Sequence, residues 1–309
     1  MEDVTTHETL DKPKPRRFEV NPIIKPEMLP NSDGENINGP SLIKVPDWIE
    51  NPLGKYYLYF AHHNGQYIRL AYSDKLAGPW QIHEPGTLHL DQASGCSGHI
   101  ASPDVIIDEE SKQLRMYFHG PAKGVKGQKS FVAISKDGLN FQASDEILGM
   151  FYFRVFKYEN YWYAMAKGGQ LYRSKDGLTN FEQGPNPFPE SGYRDQDYDD
   201  SGPRHVALKL DGDKLKVYYS NIGDSPERIL SSVIELNNDW STWKSSAPEE
   251  VLKPETDYEG VDLPIQPSQP GSAKGKENAL RDPAIFEENG KSYLLYSVAG
   301  ESGIAIAEI

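Results

Sequence analysis

Short apolar runs alternate with polar turns along the chain and recur in one fixed order. Each unit has a short apolar strand, then an aromatic-rich strand, then a strand that ends in Ser-x-Asp-Gly or a related turn. The first strands of five such units fall at residues 40–43, 103–106, 153–156, 204–208 and 282–286. Repeats of this kind are typical of propeller blades around a central channel. The pattern predicts an all-β protein, a five-bladed β-propeller. The alternative is an open β-sandwich, which is disfavoured because the same three strands recur in the same order five times.

The last unit lacks an outer strand, and the N-terminal region offers one. Residues 18–24 read Phe-Glu-Val-Asn-Pro-Ile-Ile, a short apolar strand pattern outside the five units. Pairing of this segment with residues 303–309 would close the ring and remove an open sheet edge. The expected organisation is therefore a flexible tail over residues 1–17 and one propeller domain over residues 18–309.

Composition narrows the range of partners. The net charge of −14 argues against nucleic acid and against anionic membrane surfaces as partners. No run of about eighteen apolar residues is present, so no membrane-spanning helix is expected. Residues 1–17 are polar and lack the apolar core of a secretory signal. The expected location is thus cytoplasmic, or periplasmic or secreted in a processed form; the sequence gives no oligomeric state.

The chain has a single cysteine, Cys96, which excludes an internal disulfide framework and agrees with a reducing compartment. It stands in the segment Ser-Gly-Cys-Ser-Gly-His at residues 94–99, which raises the alternative of a thiol nucleophile. A structural loop cysteine is favoured, because no other residues assemble a triad around it.

Polar residues concentrate where the innermost strands begin. Three long polar inserts, at residues 87–99, 188–202 and 247–280, precede first strands and are expected on one face of the propeller. This face is the mouth of the central channel, and the residues predicted to gather there are Asn38, Asp104, Arg154, Arg204, His205, Arg281 and Asp282, with His62, His63, His119, Lys167 and Asn221 from the second strands. Carboxylates facing guanidinium and imidazole groups suit polar recognition and acid–base chemistry. The alternative is a set of internal ion pairs that plugs the channel.

At these residues the sequence resembles the five-bladed propeller glycoside hydrolases, the superfamily of arabinanases, β-xylosidases, invertases and levansucrases. The Arg-Asp-Pro motif at residues 281–283 is similar to that of the sucrose-acting group, whose Asp holds sugar hydroxyls. It is equally similar to the Asp-Pro of the arabinanase group, whose Asp is the general base. Ser-Pro-Asp-Val at residues 102–105 resembles the opening of the second blade in those enzymes. The likeness covers nearly the whole chain from Phe18 onward.

Two blade openings depart from that resemblance. The first blade has Asn38-Gly39-Pro40 where the relatives place a catalytic Asp, and the fourth has Arg204-His205 where they place a Glu proton donor. Among the relatives, the 3,6-anhydro-L-galactosidases look like a precedent for a histidine that acts as the proton donor in such a propeller. The resemblance thus implies His205 as the proton donor.

The expected function is a glycoside hydrolase that cleaves a terminal sugar from an oligosaccharide. Asp104 or Asp282 would be the general base and His205 the acid. The predicted substrate-binding residues are Asn38, His62, His63, His119, Arg154, Arg204 and Arg281. The three arginines would grip a carboxylate or sulfate, which favours an acidic or anhydro sugar of algal or plant polysaccharide.

Two other functions stay open at this stage. One is a lyase that acts on a uronate, with an arginine neutralising the carboxylate. The other is a non-catalytic sugar-binding propeller, suggested by the two departures. The sequence has no zinc-ligand spacing, so no metal site and no cofactor are expected, although the channel near His119 leaves room for one Ca²⁺.

Overall fold

The computed structural model describes residues 14–188 and 202–309, which form five antiparallel sheets. Blade 1 consists of β2 (Asn38–Lys44), β3 (Tyr56–Ala61), β4 (Tyr67–Ser73) and β5 (Gln81–His89). Blade 2 consists of β6 (Ala101–Asp108), β7 (Gln113–Pro121), β8 (Gln128–Ser135), β9 (Gln142–Ala143) and β10 (Gly149–Met150). Blade 3 consists of β11 (Arg154–Tyr158), β12 (Tyr161–Met165), β13 (Leu171–Ser174) and β14 (Glu182–Gln183).

Blade 4 consists of β15 (Gly202–Asp211), β16 (Lys214–Ile222), β17 (Ile229–Glu235) and β18 (Glu249–Leu252). Blade 5 consists of β19 (Arg281–Glu288), β20 (Lys291–Ser297), β21 (Ile304–Glu308) and the N-terminal strand β1 (Arg16–Arg17). Short 3₁₀ helices lie at Pro26–Met28, Asn31–Glu35, Leu90–Gln92, Lys167–Gly169, Trp240–Thr242 and Asp257–Glu259. None of these described helices has the length and apolar character that crossing a bilayer requires. The predicted five-bladed propeller is confirmed.

The hydrophobic core is divided into five layers, one at each interface between neighbouring blades. Tyr59 of blade 1 packs with Leu114 and Phe131 of blade 2 in one layer. Leu58 of blade 1 packs with Leu295 of blade 5 in another. Because the aromatic-rich second strands are buried on both faces, their residues alternate between two layers rather than between core and solvent.

The Ser-x-Asp-Gly turns hold adjacent blades together. In blade 2 the Asp137 carboxylate accepts the backbone N–H of Leu139 at 2.8 Å, which fixes the turn. The carbonyl of Gly138 in the same turn accepts the Tyr59 hydroxyl of blade 1 at 2.9 Å. Blade 3 repeats the contact, since its turn accepts the hydroxyl of Tyr117 from blade 2 at 2.7 Å. The recurrent sequence motif thus provides a hydrogen bond between neighbouring blades.

The ring closes as predicted, by the N-terminal segment pairing with the last strand. Phe18 donates its N–H to the Ile306 carbonyl at 3.1 Å, and Ile24 bridges Ile304. The pairing begins earlier than expected, because Arg16–Arg17 form β1 within the segment predicted as a tail. The Arg17 side chain explains this extension, since its Nε donates to the buried Glu259 at 2.7 Å. Residues 1–13 of the predicted tail lie outside the described residues.

The innermost strands of blades 1, 2, 4 and 5 begin with β-bulges at the mouth of the channel. In blade 2, for example, Ala101 pairs with His119 and Asp104 with Tyr117, so the inner strand carries one extra residue. The second residue of the opening has a left-handed backbone in four blades, at Gly39, Ser102, Tyr152 and Asp282. A bulge redirects the side chains beside it, which brings polar groups onto the channel axis.

The bulges also correct the sequence superposition of the blades. The apolar runs align residues 204 and 282 with residue 40 as the starts of first strands, but the strand ladders align residues 205 and 283 with it. Blades 4 and 5 were therefore displaced by one residue, because the bulge rather than the apolar run sets the register. His205 and Asp282 do not occupy the position that Asp104 occupies in its blade.

Candidate active site

The mouth of the channel is built from two kinds of segment. The openings of the innermost strands supply Asp104, Arg154, His205 and Asp282, while the turns from the second to the third strands supply further side chains. The four residues predicted to share a pocket lie in two contacting pairs. Arg154 Nη1 lies 3.5 Å from Asp104 Oδ1, and His205 Nδ1 lies 3.1 Å from Asp282 Oδ1.

His205 and Asp282 form a buried imidazole–carboxylate pair. The second carboxylate oxygen of Asp282 accepts the Ser297 hydroxyl at 3.2 Å. The ring of Tyr152 covers His205, with the two ring centroids 3.7 Å apart. Both members of the pair are therefore fixed in orientation, and the carboxylate selects the tautomer with a proton on Nδ1.

The surroundings move the proton affinities of this pair in opposite directions. Burial raises the pKa of Asp282 to about 6, and the negative charge of Glu301 adds to the effect. Burial also holds the pKa of His205 well below its ordinary value, helped by the charges of Arg154 and Arg204. The donor role predicted for His205 requires an imidazolium near neutral pH. The structure instead favours a neutral His205 whose Nε2 accepts a proton.

Arg204 and Arg281 share one buried carboxylate, Glu227. Arg204 Nε donates to Glu227 Oε1 at 2.8 Å, and Arg281 Nε donates to Glu227 Oε2 at 2.7 Å. Arg204 also donates to the carbonyls of Gln269 and Gly271, so it ties the long insert of blade 5 to the mouth. Both guanidinium groups are thus committed to partners within the protein.

Glu301 is the second buried carboxylate of this network. It accepts hydrogen bonds from the side-chain amides of Asn36 and Asn38, the latter at 3.3 Å. Its Oε1 lies 3.5 Å from Arg281 Nη1 and 3.8 Å from His63 Nδ1. Burial would raise its pKa, but the neighbouring His63 and Asn36 and the charge of Arg281 hold the pKa at about 2. Glu301 therefore stays ionised.

Arg154 occupies the channel axis. Its guanidinium donates to the carbonyls of Pro103 at 2.5 Å and Val206 at 3.1 Å, and reaches that of Pro40 at 3.5 Å. Three blades thus direct backbone carbonyls at one cationic group. Burial raises the pKa of the nearby Asp104, against the opposing charge of Arg154.

The Ca²⁺ that the sequence leaves open near His119 stays a prediction. Carbonyl oxygens are its preferred ligands, but here three of them already bind a guanidinium. Within residues 14–188 and 202–309, no group of three His, Cys, Asp or Glu side chains is placed to hold a metal ion. The cation at the axis is therefore the guanidinium of Arg154.

The remaining predicted binding residues differ in their surroundings. His119 is buried against the ring of Tyr152, and burial holds its pKa well below the ordinary value. His62 is half-buried, with its Nδ1 already accepting the N–H of Asn64 at 3.0 Å. Among the described residues, three buried mouth atoms have no hydrogen-bond partner: Asn38 Oδ1, His119 Nδ1 and Arg281 Nη1. Such atoms suit a polar ligand, because leaving them unpaired costs about 1–3 kcal/mol each.

Sequence reasoning missed Glu227, Glu301 and Tyr152. The two glutamates lie in the turns after the second strands of blades 4 and 5, equivalent to the turn that supplied His63 in blade 1. The predicted set contains only residues at or near the ends of the second strands, and both glutamates lie further along the turns. Cys96 lies outside this set; it is buried, and burial raises its pKa to about 12, which agrees with a structural cysteine.

The fold and the polar mouth define the class of protein: a five-bladed propeller with the fold of the family-43 glycoside hydrolases. A thermostable family-43 enzyme has a TM-score of 0.60 at 15% identity, covering 88% of each chain. A β-xylosidase/α-arabinofuranosidase from a compost microbial metagenome, solved with xylotriose, has a TM-score of 0.60 at 12% identity over 96% of this chain and 94% of its own. A protein from Bacteroides ovatus has a TM-score of 0.65 at 14% identity, covering 96% of each chain. Identities this low show a shared fold alone.

The sequence itself has a much nearer relative. Uncharacterized protein R118 of Acanthamoeba polyphaga mimivirus is 41% identical over 318 residues, which cover 95% of this chain and 89% of that protein. The chain belongs to the same family as this viral protein. No protein-family model matches the sequence.

Proposed function

We propose that the protein is a glycoside hydrolase whose active site is the mouth of the channel. The observation that carries the proposal is the contact of His205 Nδ1 with Asp282 Oδ1 at 3.1 Å, buried at the opening of the innermost strands. A base oriented by a carboxylate is a recurring arrangement for activating a nucleophile. The fold shared with family-43 enzymes supports the same class of reaction.

In this proposal the pair activates water. Asp282 accepts a hydrogen bond from the Nδ1–H of His205. The other ring nitrogen, Nε2, is then free to take a proton from a water molecule. The water oxygen then attacks the anomeric carbon as the glycosidic bond breaks. Burial of the pair keeps the neutral ring as the resting form, as a base near neutral pH requires.

Asp104 is retained in the proposal as a second acid–base group. Its side chain is 17% exposed, more than either member of the His205–Asp282 pair. One of its oxygens accepts the Val155 N–H at 2.9 Å, and Arg154 lies beside the other. These contacts fix the carboxylate toward the axis and suit it to bind or orient the sugar.

The substrate is proposed to be a neutral or anhydro sugar at the end of an oligosaccharide. The acidic sugar expected from the sequence depended on free guanidinium groups. Arg204 and Arg281 instead pair with Glu227, and Arg154 is bonded to carbonyls. The same contacts weaken the uronate lyase, which needs an arginine for the substrate carboxylate. Among the described residues, Asn38 Oδ1 and His119 Nδ1 at the mouth have no hydrogen-bond partner and match sugar hydroxyls instead.

The test is product analysis on a panel of neutral, anhydro and uronate-containing oligosaccharides in water labelled with heavy oxygen. The proposal predicts a released terminal sugar that carries the label on its anomeric carbon, beside an unlabelled shortened saccharide, formed by the wild type and not by Asp282→Asn. An unsaturated product that absorbs in the ultraviolet would establish the lyase. Intact recovery of a tightly bound saccharide would establish the binding module.

A further inference from the structure

The mouth contains a second imidazole beside a carboxylate, contributed by blades 1 and 5. His63 follows β3, and Glu301 lies between β20 and β21. His63 Nδ1 is 3.8 Å from Glu301 Oε1, within ion-pair distance. The loop that carries the imidazole is fixed, because the His63 backbone N–H donates to Asn36 Oδ1 at 2.8 Å.

Glu301 is held as an anion in one position. Its side chain is only 4% exposed, and it is contacted by the amides of Asn36 and Asn38 and by Arg281. A carboxylate with this many donors is costly to protonate. It therefore presents a constant negative charge to the ring of His63.

His63 differs from His205 in its access to solvent. Its side chain is 22% exposed, against 6% for His205. Its other titratable neighbours at the mouth are the imidazoles of His62, His99, His119 and His205. Burial lowers the pKa of His62, His99, His119 and His205, so these rings add little positive charge near neutral pH. The acidic group that faces the ring of His63 is the carboxylate of Glu301, whose Oε1 lies 3.8 Å from Nδ1 and leaves Nε2 to face the mouth.

We propose that His63 donates the proton to the leaving-group oxygen and that Glu301 is its positioning residue. The assignment rests on the proposed hydrolase function and completes it, because His205 as a base leaves the acid unassigned. As the bond from the anomeric carbon to the leaving oxygen breaks, that oxygen takes the Nε2 proton of His63. The attacking water gives one proton to His205. Solvent then returns a proton to His63 and removes one from His205, so the protein is restored.

The test compares two aryl glycosides of one sugar, a dinitrophenyl glycoside and a phenyl glycoside. Dinitrophenolate leaves without protonation, whereas phenolate needs an acid. His63→Gln should lose about two to four orders of magnitude in kcat on the phenyl glycoside, the usual value of a positioned acid. It should lose less than about tenfold on the dinitrophenyl glycoside. Glu301→Gln should show the same selective loss, to a smaller extent.

The control is His83→Gln, a histidine on the outer strand β5 of the same blade, which should leave both rates unchanged. Equal losses on both glycosides in His63→Gln would refute the donor role, since a structural defect does not depend on the leaving group. A selective loss in Asp104→Asn instead would make Asp104 the acid. A folded wild type that hydrolyses no glycoside would overturn the proposed function itself, and this assignment with it.

Discussion

The mouth of this propeller holds two imidazole–carboxylate pairs made of the same chemical groups in different surroundings. In the His205–Asp282 pair the carboxylate accepts one hydroxyl besides the imidazole, and burial raises its pKa to about 6. In the His63–Glu301 pair, His63 itself, the amide of Asn36 and the charge of Arg281 hold the pKa of the carboxylate at about 2 against burial. The neighbours of each carboxylate therefore separate the two pairs: burial and the negative charge of Glu301 act on Asp282, whereas His63, Asn36 and Arg281 act on Glu301.

This difference has a chemical consequence. A hydrolase needs one group that takes a proton and another that gives one, and environments that push two pKa values apart supply them. The pair with few donors lies among the cationic side chains of Arg154 and Arg204, which keeps its imidazole neutral. The pair with many donors keeps a fixed anion beside a solvent-accessible imidazole. The two pairs are thus suited to opposite halves of one reaction.

The largest effect is expected from removing the carboxylate of the first pair. Asp282→Asn should lower kcat by about three to four orders of magnitude, because the imidazole loses the group that fixes its tautomer. Steady-state kinetics with the fold verified by circular dichroism checks this. Asp108→Asn is a matched control, since Asp108 ends the inner strand β6 and pairs with Arg115 away from the mouth. An Asp282→Asn variant with near-normal turnover would remove this pair from the reaction.

The shared carboxylate behind the two pairs should dominate stability. Glu227→Gln leaves Arg204 and Arg281 buried without the anion that both contact, so the free energy of unfolding should fall by about 3–5 kcal/mol. Urea unfolding measures the change, with Glu235→Gln as the control, because Glu235 pairs with Lys214 at the surface. A loss below about 1 kcal/mol would show that the network contributes no more than surface pairs.

A smaller loss of stability is expected when the arginine at the channel axis is replaced. Arg154→Met removes the group that three blade carbonyls contact, which should cost about 3 kcal/mol through unsatisfied acceptors. A chelator should leave the unfolding midpoint of the wild type unchanged, because the guanidinium takes the place of a metal ion. Calorimetry with and without the chelator checks both statements. A chelator-sensitive midpoint would show that an ion shares the axis with Arg154.

The smallest effect concerns pH. Since burial lowers the pKa of His119, the unfolded chain binds a proton at this residue at a higher pH than the folded protein does. Its stabilising contribution is therefore complete above about pH 6.5 and is lost as the pH falls below that value, by up to about 1.4 kcal/mol per pH unit. His119→Gln should flatten this slope in urea unfolding between about pH 6.5 and pH 5. An unchanged slope would mean that His119 already carries a proton in the folded protein.

The sequence predicted the fold better than the site, for a physical reason. Blade number and ring closure follow from apolar periodicity and turn motifs, which are local signals. The choice of mouth residues followed from the same repeats, and His205 and Asp282 do meet there. Their charge states could not be predicted, because these depend on Glu301 and Arg154, brought together by strands distant in sequence. The role of Arg204 was missed similarly, since its partner Glu227 lies in a turn that the blade pattern does not mark.

The protonation state of His205 tests the account most directly. Nitrogen NMR of the imidazole rings, assigned by comparison with His205→Gln, reports which ring nitrogens carry protons between about pH 5 and pH 8. The account predicts a ring that is neutral at about pH 6.5 and above, with the proton on Nδ1 facing Asp282 and none on Nε2. A ring that becomes doubly protonated near pH 6.5 or above would contradict it, because His205 would then be equipped to give a proton rather than to take one.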